Sequence, residues 1–244
     1  MAEVIAVKNL SYSYPDGQTA LRGVSLSINE GETVALMGPN GAGKSTLLLH
    51  LNGLLHSHDG AVRLLGQAVE EGNLKMVRRQ VGLVFQNPDD QLFSPTVFDD
   101  VAFGPLNLGM SPHEVRRSVN KALDEVGMAG YEKRSPHHLS LGEKRRIAIA
   151  TVLAMSPKVL VLDEPTSNLD PGGKWHLIGL LRKLPGTKLI VSHDMEMVRA
   201  LCSRVIIMDQ GRIIADGDRD VILKDRALLA AHSLAAPAEE GEIR

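Results

Sequence analysis

Residues 38–46 read Gly38-Pro39-Asn40-Gly41-Ala42-Gly43-Lys44-Ser45-Thr46, an ungapped match to the phosphate-binding pattern G-x-x-x-x-G-K-[S/T]. No other stretch restricts the fold as tightly, because the pattern carries meaning only between a buried strand and a helix. Thr33-Val34-Ala35-Leu36-Met37 supplies the strand, and Leu47-Leu48-Leu49 begins an apolar helix, which predicts an α/β chain with a nucleotide loop at a strand end. Gly38, Gly41 and Gly43 let the backbone turn its N–H groups toward phosphate oxygens, and the positive end of the helix faces the same anion. Lys44 is placed to reach the β- and γ-phosphates, and the Ser45 hydroxyl to ligate Mg²⁺. Asn40, Ala42 and Thr46 complete the cradle. The expected ligand is a nucleoside triphosphate with its Mg²⁺.

A chain of 244 residues holds one large α/β domain or two small ones, and the reading adopted is one domain over 1–244. Its 27 basic and 29 acidic residues, without a long basic run, leave no electrostatic footprint for nucleic acid or an anionic membrane. The one cysteine, Cys202, rules out an internal disulfide and suits a reducing compartment; it lies in an apolar helical stretch where burial is expected. No run approaches the roughly 18 apolar residues of a membrane helix, and the N-terminus has no signal-like core. The expected location is therefore the cytoplasm, with any membrane attachment made through a partner.

Two strands are read at 3–14 and 21–28, the second with an alternating Val24, Leu26, Ile28 face, joined through Pro15-Asp16-Gly17 into an antiparallel N-terminal sheet. Tyr14, at the end of that sheet, is the candidate platform for a nucleobase, with Tyr12 as the alternative. Gly60 to Gly66 reads as a short strand, and Val81 to Phe85 as a buried one ending on Gln86. Asn87 to Phe93 is a surface loop, with Asp89 and Asp90 starting a short helix after Pro88, and a helical segment follows from Val97 to Leu108. Residues 111–126 carry the clearest helix pattern: Ser111 as N-cap, Pro112 in the first turn, Glu114 completing a capping box, and Val115, Val119, Leu123 and Val126 on one face before Gly127. A second capping box, Ser140 with Glu143, opens a helix through Leu153. Later elements are a strand at Val159–Leu162, a helix from about Pro171 to Leu184, a strand at Lys188–Val191 and a hairpin over Val205–Met208 and Arg212–Ala215. C-terminal helices and a frayed tail occupy about 218–244.

Polar groups gather at the ends of the buried strands. In open α/β sheets ligands bind at the carboxyl ends of the strands, so Gln86, Asp163, Glu164 and His193 form one candidate constellation. Asp163 closes four apolar residues and is assigned to Mg²⁺, as is the amide of Gln86. Glu164 addresses the attacking water, as general base or as orienting group. His193 bridges the γ-phosphate and that water.

The order Tyr14, phosphate loop, Gln86, Leu139-Ser140-Leu141-Gly142-Glu143, Asp163-Glu164, Ser167-Asn168-Leu169-Asp170 and His193 resembles the ATP-binding subunit of an ABC transporter over essentially the whole chain. The stretch from Phe85 to Val97, with Asp100-Val101-Ala102-Phe103-Gly104-Pro105, resembles the energy-coupling factor branch, especially its cobalt and nickel members. The resemblance implies a mixed central sheet, an antiparallel N-terminal β-subdomain and a helical signature subdomain at about 87–155. It also implies ATP as substrate and a head-to-tail pair of such subunits, identical or similar. Ser140, Gly142 and Glu143 would then address the partner's nucleotide. Further partners are a transmembrane coupling subunit and a metal-binding membrane subunit, which would hold the chain at the cytoplasmic face of the membrane. Leu141 and Glu143 depart from the common L-S-G-G-Q signature, and Asn168 replaces the alanine usual in S-A-L-D. Glu143 sits near ATP without repulsion only if it folds back onto Ser140 or is offset by Lys144, Arg145 or Arg146.

A soluble repair or chromosome ATPase of the same superfamily would carry a long heptad-patterned coiled coil between its two nucleotide motifs, and residues 47–158 contain none. Kinases and GTPases leave Ser140-Leu141-Gly142 and His193 unexplained, and no N-K-x-D guanine motif occurs. His56 with His58, and His137 with His138, read as surface histidines, so cargo recognition is assigned to a membrane partner and the cargo to cobalt, nickel or, alternatively, a vitamin.

Overall fold

A computed structural model describes residues 2–56 and 61–234; His58, Gly60 and the tail from Ala235 lie outside the described residues. The chain forms two compact units, one from 1–74 and 187–244, the other from 75–186. The second is wider than the helical stretch read at 87–155.

The first unit opens with β1 (Glu3–Ser13) and β2 (Thr19–Asn29), paired antiparallel with several irregularities of register. Tyr14 therefore lies one residue past its strand. Next comes β3 (Thr33–Met37), whose Val34, Ala35, Leu36 and Met37 are fully buried, as a strand covered on both faces requires. It feeds the loop and then α1 (Lys44–Leu51), which begins three residues earlier than the apolar run alone indicates. β4 (Val62–Leu64) pairs with β1, and β5 (Gln67–Ala68) with β4, giving the order β2-β1-β4-β5.

In the second unit α2 (Leu74–Gln80) leads into β6 (Val81–Val84). Three helices follow: α3 (Val97–Asn107), α4 (Pro112–Glu125) and α5 (Leu141–Leu153). Both predicted capping boxes are formed, Ser111 with Glu114 and Ser140 with Glu143, which satisfies orphan N–H groups at each helix start. Val115, Val119, Ala122 and Leu123 of α4 are buried, the face its spacing predicts. α3 is fixed at its start by Asp100, 3 % exposed, whose Oδ1 accepts from the N–H groups of Phe93 and Ser94 at 3.0 and 2.9 Å. β7 (Val159–Asp163) runs parallel to β6, and α6 (Pro171–Lys183), capped by Asp170, closes the unit.

The chain then returns to the first unit with β8 (Thr187–Val191), α7 (Met195–Leu201), β9 (Arg204–Asp209) and β10 (Arg212–Asp218). β3 lies between β8 and β9 and parallel to both, while β10 returns antiparallel, so this sheet is mixed. Cys202 is buried just after α7, and burial pushes its thiol up to about 12. The short α8 (Arg219–Ile222) and α9 (Arg226–Ala231) complete the described chain. The small β5, α2 and α7 were not legible as separate elements; each is seven residues or fewer and too short for a period to declare itself.

Candidate nucleotide site

In the first unit the phosphate loop is built against the turn between β9 and β10. The Gly211 N–H donates to the Ala42 carbonyl at 3.0 Å, and the Ala42 N–H to the Pro39 carbonyl at 3.2 Å. A Cβ on Gly38 would stand 1.9 Å from the Met208 carbonyl oxygen, and one on Gly43 would stand 2.5 Å from that of Ala20, so neither position admits a side chain. Gly41, by contrast, has φ +79° and nothing within 4 Å of a built Cβ. Lys44 is 8 % exposed and arches over the loop, its Nζ donating to the carbonyls of Gly38 and Pro39 at 2.7 and 2.8 Å. Ser45 is exposed and Thr46 buried. This is a cradle lined by main chain and one buried ammonium, open on the side of Gly41, and it fits a polyphosphate.

Tyr14 is half-buried, and its hydroxyl shares a 2.9 Å hydrogen bond with Thr46 Oγ1. Tyr12, the alternative platform, is engaged on two sides, edge-to-face with Tyr14 at 5.2 Å and with His50 at 4.7 Å. His193 follows β8 and is exposed; partial loss of hydration and the nearby Lys44 ammonium hold its pKa below the ordinary 6.5. His50, buried in α1, is held below 6.5 chiefly by burial, against the hydrogen bond to Thr46, with His56 adding to the depression.

These depressed histidines give a stability prediction. On acidification the unfolded chain takes up protons on both side chains first, so their contribution is full above about pH 6.5 and is lost as pH falls toward the folded-state values. The denaturant midpoint is expected to fall between about pH 7.5 and about pH 5.5, and His50→Phe to remove a measurable part of that fall. Carboxylates with lowered values, such as Glu32, act below about pH 4.5 and leave this window clear. An identical fall in wild type and variant would exclude His50 as a contributor.

In the second unit Glu164 stands just past β7 with φ +43°, a left-handed conformation uncommon for a residue with a side chain. Its carbonyl accepts from the Ser167 N–H at 3.1 Å and the Ser167 hydroxyl at 2.9 Å, which fixes the turn after Asp163. Asn168 is also left-handed, φ +61°, a region that asparagine tolerates well. Arg145 of α5, 2 % exposed, ties this turn to the end of β6. It donates to Ser167 Oγ at 2.8 Å, the Ser167 carbonyl at 3.2 Å and the Phe85 carbonyl at 3.3 Å. Burial lowers its pKa, and the charges of Asp163 and Glu164 oppose that loss.

Gln86 is exposed, while Gln91 anchors its loop by accepting from the Phe85 N–H and donating to the Ala148 carbonyl and Thr151 Oγ1. Pro88–Asp90 form the expected short helical turn, capped by the Asn87 side chain, and Asp89 is engaged within the chain, 2.6 Å from Lys144 Nζ. Glu143 folds back: its Oε2 accepts from the Ser140 N–H and hydroxyl, both at 2.9 Å, and its Oε1 from the Tyr131 hydroxyl at 2.8 Å. Those bonds, the Ser140 backbone first, hold its carboxyl below the ordinary range. Beside it a cleft of ≈ 610 Å³ is lined by Ser140, Gly142, Arg146, Asn168, Gly173 and His176, among others. A Cβ on Gly142 would meet only Leu169 at 4.0 Å, so packing does not demand a glycine there.

The sequence profile described as "ABC transporter" matches residues 21–167. The chain belongs to the ABC transporter family. It is 51 % identical, over 96 % of its length and 77 % of the relative, to the energy-coupling factor transporter ATP-binding protein EcfA of Methanothermobacter thermautotrophicus. Among solved structures it is similar to cbiO1 of Clostridium perfringens, part of the ABC transporter complex cbiONQ, with TM-score 0.83, 37 % identity and 97 % of each chain covered. A dimeric ATP-binding cassette, MJ0796, in a post-hydrolysis state with ADP and Pi, aligns at TM-score 0.78 and 29 % identity over 88 % of this chain and 98 % of that one. The protein is thus an ATP-binding and ATP-hydrolysing subunit of an ABC transporter, a class that works as dimers with membrane subunits. Among the described residues no helix is long and apolar enough to cross a membrane.

Sequence reasoning about this ABC subunit did not assign Arg145, Gln91, Tyr131 or His50. Arg145 entered only as a counter-charge for Glu143, whereas the fold buries it under the Asp163–Glu164 turn. A signal was present in one case: an arginine on an apolar helix face between Leu141 and Ile147 has to find buried acceptors.

Proposed function

We propose that the chain is the ATPase of an energy-coupling factor importer whose cargo is cobalt or nickel, acting as a head-to-tail homodimer at the cytoplasmic face of the membrane. The likeness to EcfA over 96 % of the chain carries the branch, and the resemblance of the stretch from Phe85 to Val97 to its cobalt and nickel members favours a transition-metal cargo. In this reading the loop of one protomer and the Ser140–Gly142 helix start of its partner enclose each ATP. The helix start offers N–H groups and a positive dipole end to the γ-phosphate. Glu143, locked onto Ser140 and Tyr131, caps that helix instead of touching nucleotide.

Ser45 of the first unit, and Asp163 and Gln86 of the second, each offer the oxygen donor that Mg²⁺ takes. The ion, when bound, neutralises charge building between the β- and γ-phosphoryl groups. Lys44 gives up its carbonyl contacts for phosphate oxygens, Tyr14 carries the base, Glu164 orients or deprotonates the attacking water, and His193 holds the γ-phosphate side of that water. A vitamin importer of the same branch is the second reading, favoured by an EcfA name that specifies no metal.

The docking face for the membrane subunit is assigned to the second unit, where Phe93, Phe103 and Leu106 are 61, 51 and 57 % exposed and the two rings meet edge-to-face at 5.1 Å. Aromatic groups held out to solvent beside Asp90 suit a partner segment that carries both apolar and basic side chains. Because Asp89 pairs with Lys144 and Asp90 accepts from the Asn87 amide, the cleaner variant is Phe103→Glu with Leu106→Glu. It is expected to recover about tenfold less membrane partner on copurification while ATP-dependent dimerisation persists. Full recovery would remove this face from the interface. ATP-dependent uptake of radioactive cobalt or nickel, against labelled vitamins, by the copurified complex decides the cargo.

A further inference from the structure

We propose that His50 is a positioning residue for nucleobase selection, which fixes the span between the phosphate loop and the Tyr14 ring. The inference rests on the reading of Tyr14 as the base platform. His50 is 1 % exposed, on the same face of α1 as Thr46 and one turn further on. Its Nδ1 lies 2.8 Å from the Thr46 carbonyl oxygen, which only accepts, so this nitrogen carries the hydrogen. The other ring nitrogen, Nε2, is buried and has no hydrogen-bond partner among the described residues.

A bare imidazole nitrogen in the core costs free energy that a leucine or phenylalanine would not incur. A leucine would fill this space without that cost; what the ring adds is directional support. It packs edge-to-face on Tyr12 at 4.7 Å and 77°, and Tyr12 packs on Tyr14 at 5.2 Å and 86°. Tyr14 closes the circuit through its hydroxyl to Thr46 Oγ1, 2.9 Å away. Four side chains thus join one turn of the phosphate-loop helix to the end of β1, and every link is directional: two hydrogen bonds and two edge-to-face ring contacts.

Tyr14 is held at its ring by Tyr12 and at its hydroxyl by Thr46, so its distance from the loop is set by His50 and Thr46 together. A ligand that grips the loop with its phosphates gains the ring only if its base arrives at that distance. Inorganic triphosphate grips the loop and never meets the ring.

The test is calorimetric titration of the full chain with Mg-ATP and with Mg-triphosphate, alongside the thermal midpoint of the nucleotide-free protein. His50→Asn keeps a donor for the Thr46 carbonyl and removes the ring. It is expected to weaken ATP about 5- to 10-fold while triphosphate stays within about 2-fold, a loss in the range of one base-stacking contact. His50→Phe keeps the ring and is expected to restore the ATP preference. Should His50→Asn fail to fold, His50→Leu, of similar volume and without a ring, carries the same expectation. A lower midpoint with an unchanged ATP-to-triphosphate ratio would make His50 a packing residue and overturn the proposal. Tyr14→Ala separates the two layers. If it leaves the ratio unchanged, the platform reading itself fails; if it lowers the ratio while the ringless His50 variants do not, the platform stands and the role of His50 is wrong.

Discussion

Replacing Glu164 with glutamine is expected to slow steady-state ATP turnover about 10²-fold or more while ATP affinity stays within a few-fold of wild type. The amide is isosteric and equally able to sit at φ +43°, so the turn held by Ser167 persists. What it lacks is a carboxylate to take a proton from water or to hold it as a strong acceptor. If, as proposed, closure of the dimer needs bound ATP and opening needs its hydrolysis, the variant is also expected to accumulate as a dimer when ATP is added. Phosphate release and size-exclusion chromatography with ATP read the two halves separately. Turnover at the wild-type rate would take Glu164 out of the chemistry, and slow turnover without dimer accumulation would separate hydrolysis from opening. The backbone adds a second expectation. A left-handed non-glycine residue costs on the order of 1–3 kcal/mol, so Glu164→Gly, equally inactive, is expected to be more stable than Glu164→Gln.

The phosphate loop, the two capping boxes and the strand that ends on Asp163 are all legible in the amino-acid sequence, for a shared reason. Each is a local pattern in which spacing along the chain determines geometry: glycines where the backbone turns onto phosphate, a serine three residues before a glutamate, apolar residues up to a carboxylate. Glu143 shows how far such reasoning reaches. A charge near nucleotide had to be neutralised or folded back, and the back-folding onto Ser140 is observed, yet Tyr131, twelve residues away, supplies a third bond and has no local mark. Asp89 shows the same limit. Proline and helix-start logic placed it in solvent, where it does lie, but gave no sign that Lys144, 55 residues on, reaches it. The aromatic edges against His50, and the Ser167 and Phe85 oxygens that Arg145 reaches, are hidden for the same reason, since only folding brings them together.

Gly38→Ala and Gly41→Ala are expected to separate the two demands placed on the loop, and the first is expected to have the larger effect on stability. At Gly38 the added Cβ would fall 1.9 Å from the Met208 carbonyl oxygen of β9, a backbone atom in a sheet that pairs on both sides. Neither partner yields cheaply, and φ +150° is a region that side chains avoid. A loss of about 3 kcal/mol or more, read as a lower denaturant midpoint at unchanged slope, is the expected outcome, together with loss of ATP binding as the loop is pushed off β9. At Gly41 there is no atom to strike, so the cost is the left-handed backbone alone, about 1–2 kcal/mol. The fold survives, but the methyl group stands on the open side of the cradle, where phosphate oxygens have to approach within hydrogen-bond distance of the main chain. ATP affinity is expected to drop at least tenfold in a protein that is otherwise folded. Wild-type stability in Gly38→Ala would mean that the loop is not braced on Met208. Wild-type ATP affinity in Gly41→Ala would mean that the nucleotide does not enter from the side that the glycine leaves open.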